Sequence, residues 1–214
     1  AAESIGSNAL LVRVAAYYHD VGKMKKAAYF IENNKGESKH KKLSPHMSAL
    51  IVASHVKDGV DMAEAAGIPK VIVDMIPQHH GTRKIGFFFE KAKAQVDPSI
   101  QTVNEKDFCY AGPKPQSPEA AILMLADVVE ASVRSLQEKS ALRIQQTVER
   151  SINDVFSESQ LDECELTLKD LNDIGKAFIH ILLGIYHQRI DYQKEATFSS
   201  GKFASDAPEK DGLS

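Results

Sequence analysis

Residues 16–26, AYYHDVGKMKK, decide the reading of this chain. They close an apolar stretch on a histidine and an aspartate side by side, His19 and Asp20, with Gly22 just beyond to let the backbone turn. Upstream, Leu11, Val14, Ala15 and Tyr18 recur at steps of three and four, the spacing of one helix face, and Asn8 supplies an N-cap. The spacing predicts a helix over 8–20 that Gly22 breaks.

The same periodicity runs through most of the chain, while the alternation expected of strands is almost absent. Residues 27–33 read as a short helical turn ahead of a charged loop, 35–42. Ser44-Pro45 is a helix start, with serine as cap and proline in the first turn, and that helix runs to Ala66, where Gly67 stops it. Pro69 starts another that ends at His80-Gly81. Residues 96–118 carry Pro98, Pro113, Pro115 and Pro118 with little periodicity and read as a long ordered loop. Ser117-Pro118 opens an apolar helix to Lys139, and 141–156 form a further one. Thr167 caps a last helix, striped by Leu171, Ile174, Phe178, Leu182 and Ile185. The expectation is an all-α bundle forming one domain over 1–194, with a polar, flexible tail over 195–214.

With 214 residues, 43% of them hydrophobic, the chain has enough apolar surface for a core. A net charge of −3 argues against binding DNA or RNA polymers, though not against a local pocket for phosphate. Cys109 and Cys164 make no disulfide framework and suit a reducing compartment. The longest strongly apolar run, 178–186, is too short to cross a bilayer. The opening AAESIG reads as the end of a helix, so the chain is expected to be cut from something longer.

Of eight histidines, six fall between His19 and His80. A His-Asp pair at a helix end either faces water or serves two metal ions, the imidazole on one and the carboxylate bridging both. Adjacent histidines such as His79 and His80 point about 100° apart on a helix, so they reach one ion only where the helix ends, and Gly81 supplies an end. Asp127 sits in the apolar run LMLADVVEAS, where a carboxylate needs a partner: a metal, or Arg134 two turns on. His46 and His55 share one helix on opposite faces, and His55, mid-helix beside Val52 and Val56, is the better ligand. His40 in the lysine-rich loop reads as solvated, and His180 and His187 as core or surface residues.

AYYHDVGKMKK, YFIENN, KLSPHMSALIVASHVKDGV, QHHGT, FFFEKAK, YAGPKPQ and LADVVEASVRSL stand in this order between residues 16 and 136. Together they resemble the HD superfamily of metal-dependent phosphohydrolases, and within it the cytoplasmic HD domain of the seven-transmembrane-HD, PgpH-type family of cyclic di-AMP phosphodiesterases. The resemblance implies a helical bundle around a buried di-metal site. It assigns His19, Asp20, His55, His79, His80 and Asp127 as metal ligands, with Asp20 bridging, His55, His79 and His80 completing one ion, and His19 and Asp127 serving the other. It also implies a further histidine ligand on a helix ahead of residue 1. Cys109 and Ala111 depart from a loop that more usually reads FRYPGPKP, and Val128 stands where serine is commoner.

The implied activity is hydrolysis of cyclic di-AMP to linear 5′-pApA on the cytoplasmic side of a membrane, as part of a larger parent protein. Two divalent transition metals, iron or manganese for an all-imidazole and carboxylate site, would lower the pKa of a water and offset phosphate charge. Asp20 and Lys23 are the catalytic candidates, with Lys23 on a phosphate oxygen or in proton transfer, or simply solvated. Thr82, Lys114 and Arg134 are candidate phosphate contacts, and Tyr29, Phe30, Asn33 and Tyr110 candidate adenine contacts, with Tyr29 and Phe30 reading equally as core, Phe30 the more so. The alternatives are an HD hydrolase of another cyclic dinucleotide or nucleotide, and a non-catalytic nucleotide sensor.

Overall fold

The computed structural model describes residues 1–30, 38–97 and 102–186. Seven α-helices and five 3-10 turns make up the regular structure of the described residues, which contain no strand beyond one isolated antiparallel bridge, Lys84 to Cys109. They are α1 (Ala9–Tyr18), α2 (Pro45–Ala65), α3 (Lys70–Val73), α4 (Gly86–Lys93), α5 (Pro118–Arg134), α6 (Ala141–Ser157) and α7 (Leu168–Tyr186). Four begin on a side-chain cap of the expected kind. Asn8 accepts from Leu11 N–H (3.0 Å), Ser44 from Met47 (3.2 Å), Ser117 from Ala120 (3.2 Å) and Ser140 from Arg143 (3.4 Å). At α7, Thr167 Oγ1 accepts from Asp170 N–H (3.1 Å), while the Asp170 carboxylate takes the Thr167 N–H (2.9 Å), a reciprocal capping box.

α5 is apolar nearly all round because it packs on two sides. Ile122, Met124, Leu125, Val129 and Val133 meet Ile144, Val148 and Val155 of α6 and Leu171, Ile174 and Leu182 of α7. Its other side, Ala120 and Leu123, meets Ala15 of α1 with Ile72 and Met75. A third cluster, Phe88, Phe89 and Phe108 around Ala49 of α2, explains α4, which the periodicity did not predict: its FFF run buries two rings against α2.

Several expectations are corrected. The helix expected from Pro69 to His80 is two pieces, α3 and a 3-10 turn over Pro77–His79, because Pro77 has no N–H to continue the ladder. α5 ends at Arg134 rather than Lys139. The segment expected to be one long loop holds a 3-10 turn, Glu105–Phe108, tied back by Ile85 N–H to the Phe108 carbonyl (2.7 Å) and Tyr110 N–H to the Arg83 carbonyl (3.0 Å). His40 is packed rather than solvated: its Nε2–H donates to the Tyr29 carbonyl (2.9 Å) and its ring lies 5.1 Å from that of Phe88. Asn33, His187 and the tail over 195–214 lie outside the described residues.

Gly22 is needed for closeness rather than for an unusual φ. A Cβ there would stand 1.9 Å from the His55 carbonyl oxygen and 2.4 Å from Gly59 N, so the 3-10 segment Val21–Tyr29 rests backbone to backbone on α2. Gly22→Ala forces these segments apart and costs about 3 kcal/mol, the upper end of overpacking penalties; a urea midpoint equal to that of the unchanged protein would contradict this contact. The end of α6 carries the opposite opportunity. Ser159 holds φ 56°, with Ser159 N–H on the Phe156 carbonyl and Gln160 N–H on the Val155 carbonyl, the bonding of a helix end usually closed by glycine. Ser159→Gly therefore raises stability by about 1 kcal/mol, read as a higher urea midpoint with unchanged slope; a lower midpoint refutes it.

Candidate metal centre

Four elements bring six side chains together. His19 and Asp20 directly follow α1, α2 presents His55 from its middle, the Pro77–His79 turn delivers His79 and His80, and α5 presents Asp127. They form two groups sharing Asp20: Asp20, His55, His79 and His80, and His19, Asp20 and Asp127, in each of which one ligand atom per residue lies within 4.8 Å of the others. Asp20 Oδ1 is 3.3 Å from His55 Nε2 and 3.8 Å from His79 Nε2, while Oδ2 is 3.2 Å from His19 Nε2. Asp127 Oδ1 is 3.8 Å from His19 Nε2, and its Oδ2 3.9 Å from His80 Nδ1. Arg134, the other partner considered for Asp127, pairs with Glu130 at 3.3 Å.

Three of the histidines are locked by the main chain in one pattern. Nδ1–H of His19 donates to the Ala16 carbonyl (2.9 Å), that of His55 to Val52 (2.6 Å) and that of His79 to Ile76 (2.5 Å), each carbonyl three residues back. A neutral imidazole held this way offers an Nε2 lone pair, the tautomer metal ligands adopt. His55 Nε2 and His79 Nε2 face each other at 3.4 Å, so two lone pairs converge where a cation would stabilise them. Asp20 Oδ1 is buried beside them and accepts no hydrogen bond among the described residues. Convergent nitrogen lone pairs and an unpartnered carboxylate oxygen fit a divalent cation, and the nitrogen and oxygen donor set suits a transition metal.

Electrostatics follow from the same contacts. Burial opposes charge on His19, yet the carboxylates of Asp127 and Asp20 outweigh it and raise its pKa to about 10. Burial likewise works against ionised Asp20 and Asp127, but hydrogen bonding to histidine keeps both carboxyls below the usual range. Burial, reinforced by His19 and His55, lowers His79 to about 4, and burial with His79 and His55 pushes His80 well down. Without metal, protonated His19 is thus the cation between the two carboxylates.

The remaining candidates are spread around this centre. Lys23 Nζ lies 2.7 Å from Asp20 Oδ2 and 5.6 Å from the Phe30 ring, which is buried against His55. Tyr110 stacks on His80 at 4.1 Å and 22°, covering one of the faces it would offer a base, and burial raises its phenol pKa so that it stays a donor. Tyr29 is half-buried, its ring against His40 and Lys39. Thr82 has its N–H on Gln160 Oε1 (2.9 Å) and its hydroxyl on the same carboxamide. Lys114 faces Asp162 at 3.7 Å, and Arg134 is exposed beyond the end of the cluster. His46 is exposed with its ring on Phe108, and His180 is exposed on α7. Gln160, buried among polar partners, carried no sequence signal: it follows α6 in a polar run, and its contact to Thr82 spans 78 residues.

Comparison with known proteins bears on this arrangement. A family model for the HD domain matches residues 1–132. The chain is 47% identical over 198 residues to the cyclic-di-AMP phosphodiesterase PgpH of Bacillus subtilis (strain 168), covering 92% of this chain and 27% of that protein. It is 42% identical over 192 residues to PgpH of Listeria monocytogenes, covering 89% and 26%. It therefore spans about a quarter of the length of these relatives. Among solved structures it is similar to the L. monocytogenes PgpH HD domain (TM-score 0.81, 41% identity, 87% of this chain and 86% of that one). It matches the same domain in complex with cyclic-di-AMP equally well (TM-score 0.82, 41% identity, 89% and 87%).

The buried histidines make metal-free stability fall in acid. Between the ordinary histidine value near 6.5 and the folded His79 value near 4, the unfolded chain holds more protons than the folded one, so stability drops as pH falls through that window. The raised His19 keeps its contribution there, since that is lost only as pH rises through about 10. Chelator-treated protein is expected to lose on the order of 1 kcal/mol per pH unit between pH 6.5 and 4. Equal urea midpoints at pH 6.5 and 5 would contradict it.

Proposed function

The chain belongs to the HD domain family, and we propose that it is a metal-dependent phosphodiesterase domain that opens cyclic di-AMP to linear 5′-pApA. The observation that carries this reading is the pair of ligand groups sharing Asp20, found in a chain 41% identical to a domain solved with cyclic-di-AMP. Asp20, His55, His79 and His80 would hold one divalent ion and His19, Asp20 and Asp127 a second, iron or manganese for a site without thiolate. When bound, such a pair lowers the pKa of a water at neutral pH and offsets charge on the phosphoryl oxygens.

The chain's own groups do the rest. The carbonyl-locked histidines keep the ligand atoms in place through turnover, so little reorganisation is needed as charge develops. Lys23 holds Asp20 Oδ2 and leaves a cation at the rim of the site to receive a non-bridging phosphate oxygen during in-line displacement of the 3′-oxygen. Tyr110, a protonated phenol over His80, offers a donor to the substrate, while Tyr29 is engaged by His40 and Lys39. Thr82 and Lys114 act at the edge, through the structure they support. Cyclic di-AMP carries two phosphodiesters, and hydrolysis of one opens the ring. We place the domain on the cytoplasmic side of a membrane within a longer protein, a placement compatible with the absence, among the described residues, of any helix long and apolar enough to cross a bilayer.

Incubated with manganese and cyclic di-AMP, the protein is expected to yield pApA by chromatography. Asp20→Ala abolishes turnover because both ligand groups lose their shared member, and Lys23→Met lowers kcat about 100-fold with metal content unchanged. No pApA from the loaded, unchanged protein, or full turnover by Asp20→Ala, overturns the assignment.

A further inference from the structure

His80 differs from its three neighbours. Among the described residues no main-chain carbonyl accepts a proton from its ring, whereas His19, His55 and His79 each have one three residues back. Its ring packs between those of Tyr110 (4.1 Å) and His79 (3.9 Å), with Asp127 Oδ2 3.9 Å from Nδ1, and its backbone leads straight into the turn Gly81–Arg83. That turn is gripped from the far end of the chain. Gly81 takes φ 53°, and a Cβ there would stand 2.4 Å from Gln160 Oε1, so the buried carboxamide is seated directly against the backbone. Gln160 Oε1 accepts the Thr82 N–H (2.9 Å), and its Nε2 donates to Thr82 Oγ1 (3.1 Å) and to the Glu158 carbonyl (3.1 Å). Glu158 pairs with Arg83 at 2.7 Å, and the Arg83 carbonyl in turn holds Tyr110 N–H at 3.0 Å. Contacts therefore run unbroken from Gln160 and Glu158 through Thr82 and Arg83 to Tyr110 and His80. The strained φ of Ser159 sits between the two gripping residues, where a local backbone cost is met by the bonds it sets up.

We infer that Gln160 is a positioning residue of the metal centre: it fixes the Gly81–Thr82 turn and thereby orients His80, in place of the carbonyl lock the other histidines possess. The inference rests on the reading of the cluster as a metal centre. It extends that centre to the turn between α6 and α7, past the 1–132 region matched by the HD family model. Removing an outer partner of a metal-bound histidine typically weakens metal affinity 10–100-fold.

Gln160→Met keeps the volume and removes the bonds. Val148→Ala, buried in the α5–α6–α7 core, lowers stability without touching the turn and serves as the control. Manganese titration by calorimetry is expected to show binding up to about 10-fold weaker in Gln160→Met than in the unchanged protein, the low end of the range because Gln160 acts through the turn and not on the ring, with Val148→Ala unaffected beyond its melting temperature. Amide exchange on the metal-free protein should show Thr82 N–H protected in the unchanged protein and in Val148→Ala, and exposed in Gln160→Met. Unchanged manganese affinity in Gln160→Met overturns the inference while leaving the metal centre standing. Fast Thr82 exchange in the unchanged protein overturns it as well, independently of metal. An unchanged protein that binds no manganese overturns the metal-centre reading, and this inference with it.

Discussion

Asp20 Oδ1 is buried, accepts no hydrogen bond among the described residues, and faces the Nε2 atoms of His55 and His79, which stand 3.4 Å apart. Each of those rings has spent its Nδ1–H on a carbonyl three residues back. Three acceptor atoms thus converge with no proton assigned to join them, an arrangement that costs free energy in a folded protein unless a cation is present. Much of the fold can be understood as holding that convergence in place. α2 carries His55 at mid-length, the proline-broken turn before His79 gives two adjacent histidines separate directions, and α5 brings Asp127 in from the central core.

Three of the four histidines of the centre are held by backbone rather than by other side chains. At a helix end (His19), in mid-helix (His55) and on a 3-10 turn (His79) the carbonyl three residues back lies within reach of Nδ1, so the lock and the helical backbone are one feature. Gly22 adds to it. Only a residue without Cβ lets the segment after the His-Asp pair lie on the His55 carbonyl, and this brings the first and second ligand-bearing elements within reach of each other. His80, past the end of its turn, is held by a stacked tyrosine and by the α6–α7 turn.

What the sequence made legible was local or carried by resemblance. Asn8, Ser44, Ser117, Ser140 and Thr167 mark helix starts because capping is a short-range bond between a side chain and an N–H three residues on. Helical phase put His46 and His55 on opposite faces, and the mid-helix position of His55 beside Val52 and Val56 favoured it; the structure buries His55 and exposes His46. Pro77 is a break signal within the stretch read as one helix from Pro69 to His80, and that reading passed over it. α4 was missed because its three consecutive phenylalanines show no helical phase; two are buried by contact with α2, a tertiary cause. His40 looked solvated among lysines for the same reason, since Phe88, 48 positions away, covers it. Gln160 could not be found at all, because its partners are on a turn 78 residues earlier.

The central claim is that Asp20 is shared between two cations. Anomalous diffraction from manganese-loaded crystals, collected at the manganese edge, tests it most directly. The account predicts two anomalous peaks flanking the Asp20 carboxylate, one among His55, His79 and His80 and one between His19 and Asp127. Anomalous density absent from this cluster, or one ion that Asp20 does not touch, would contradict it.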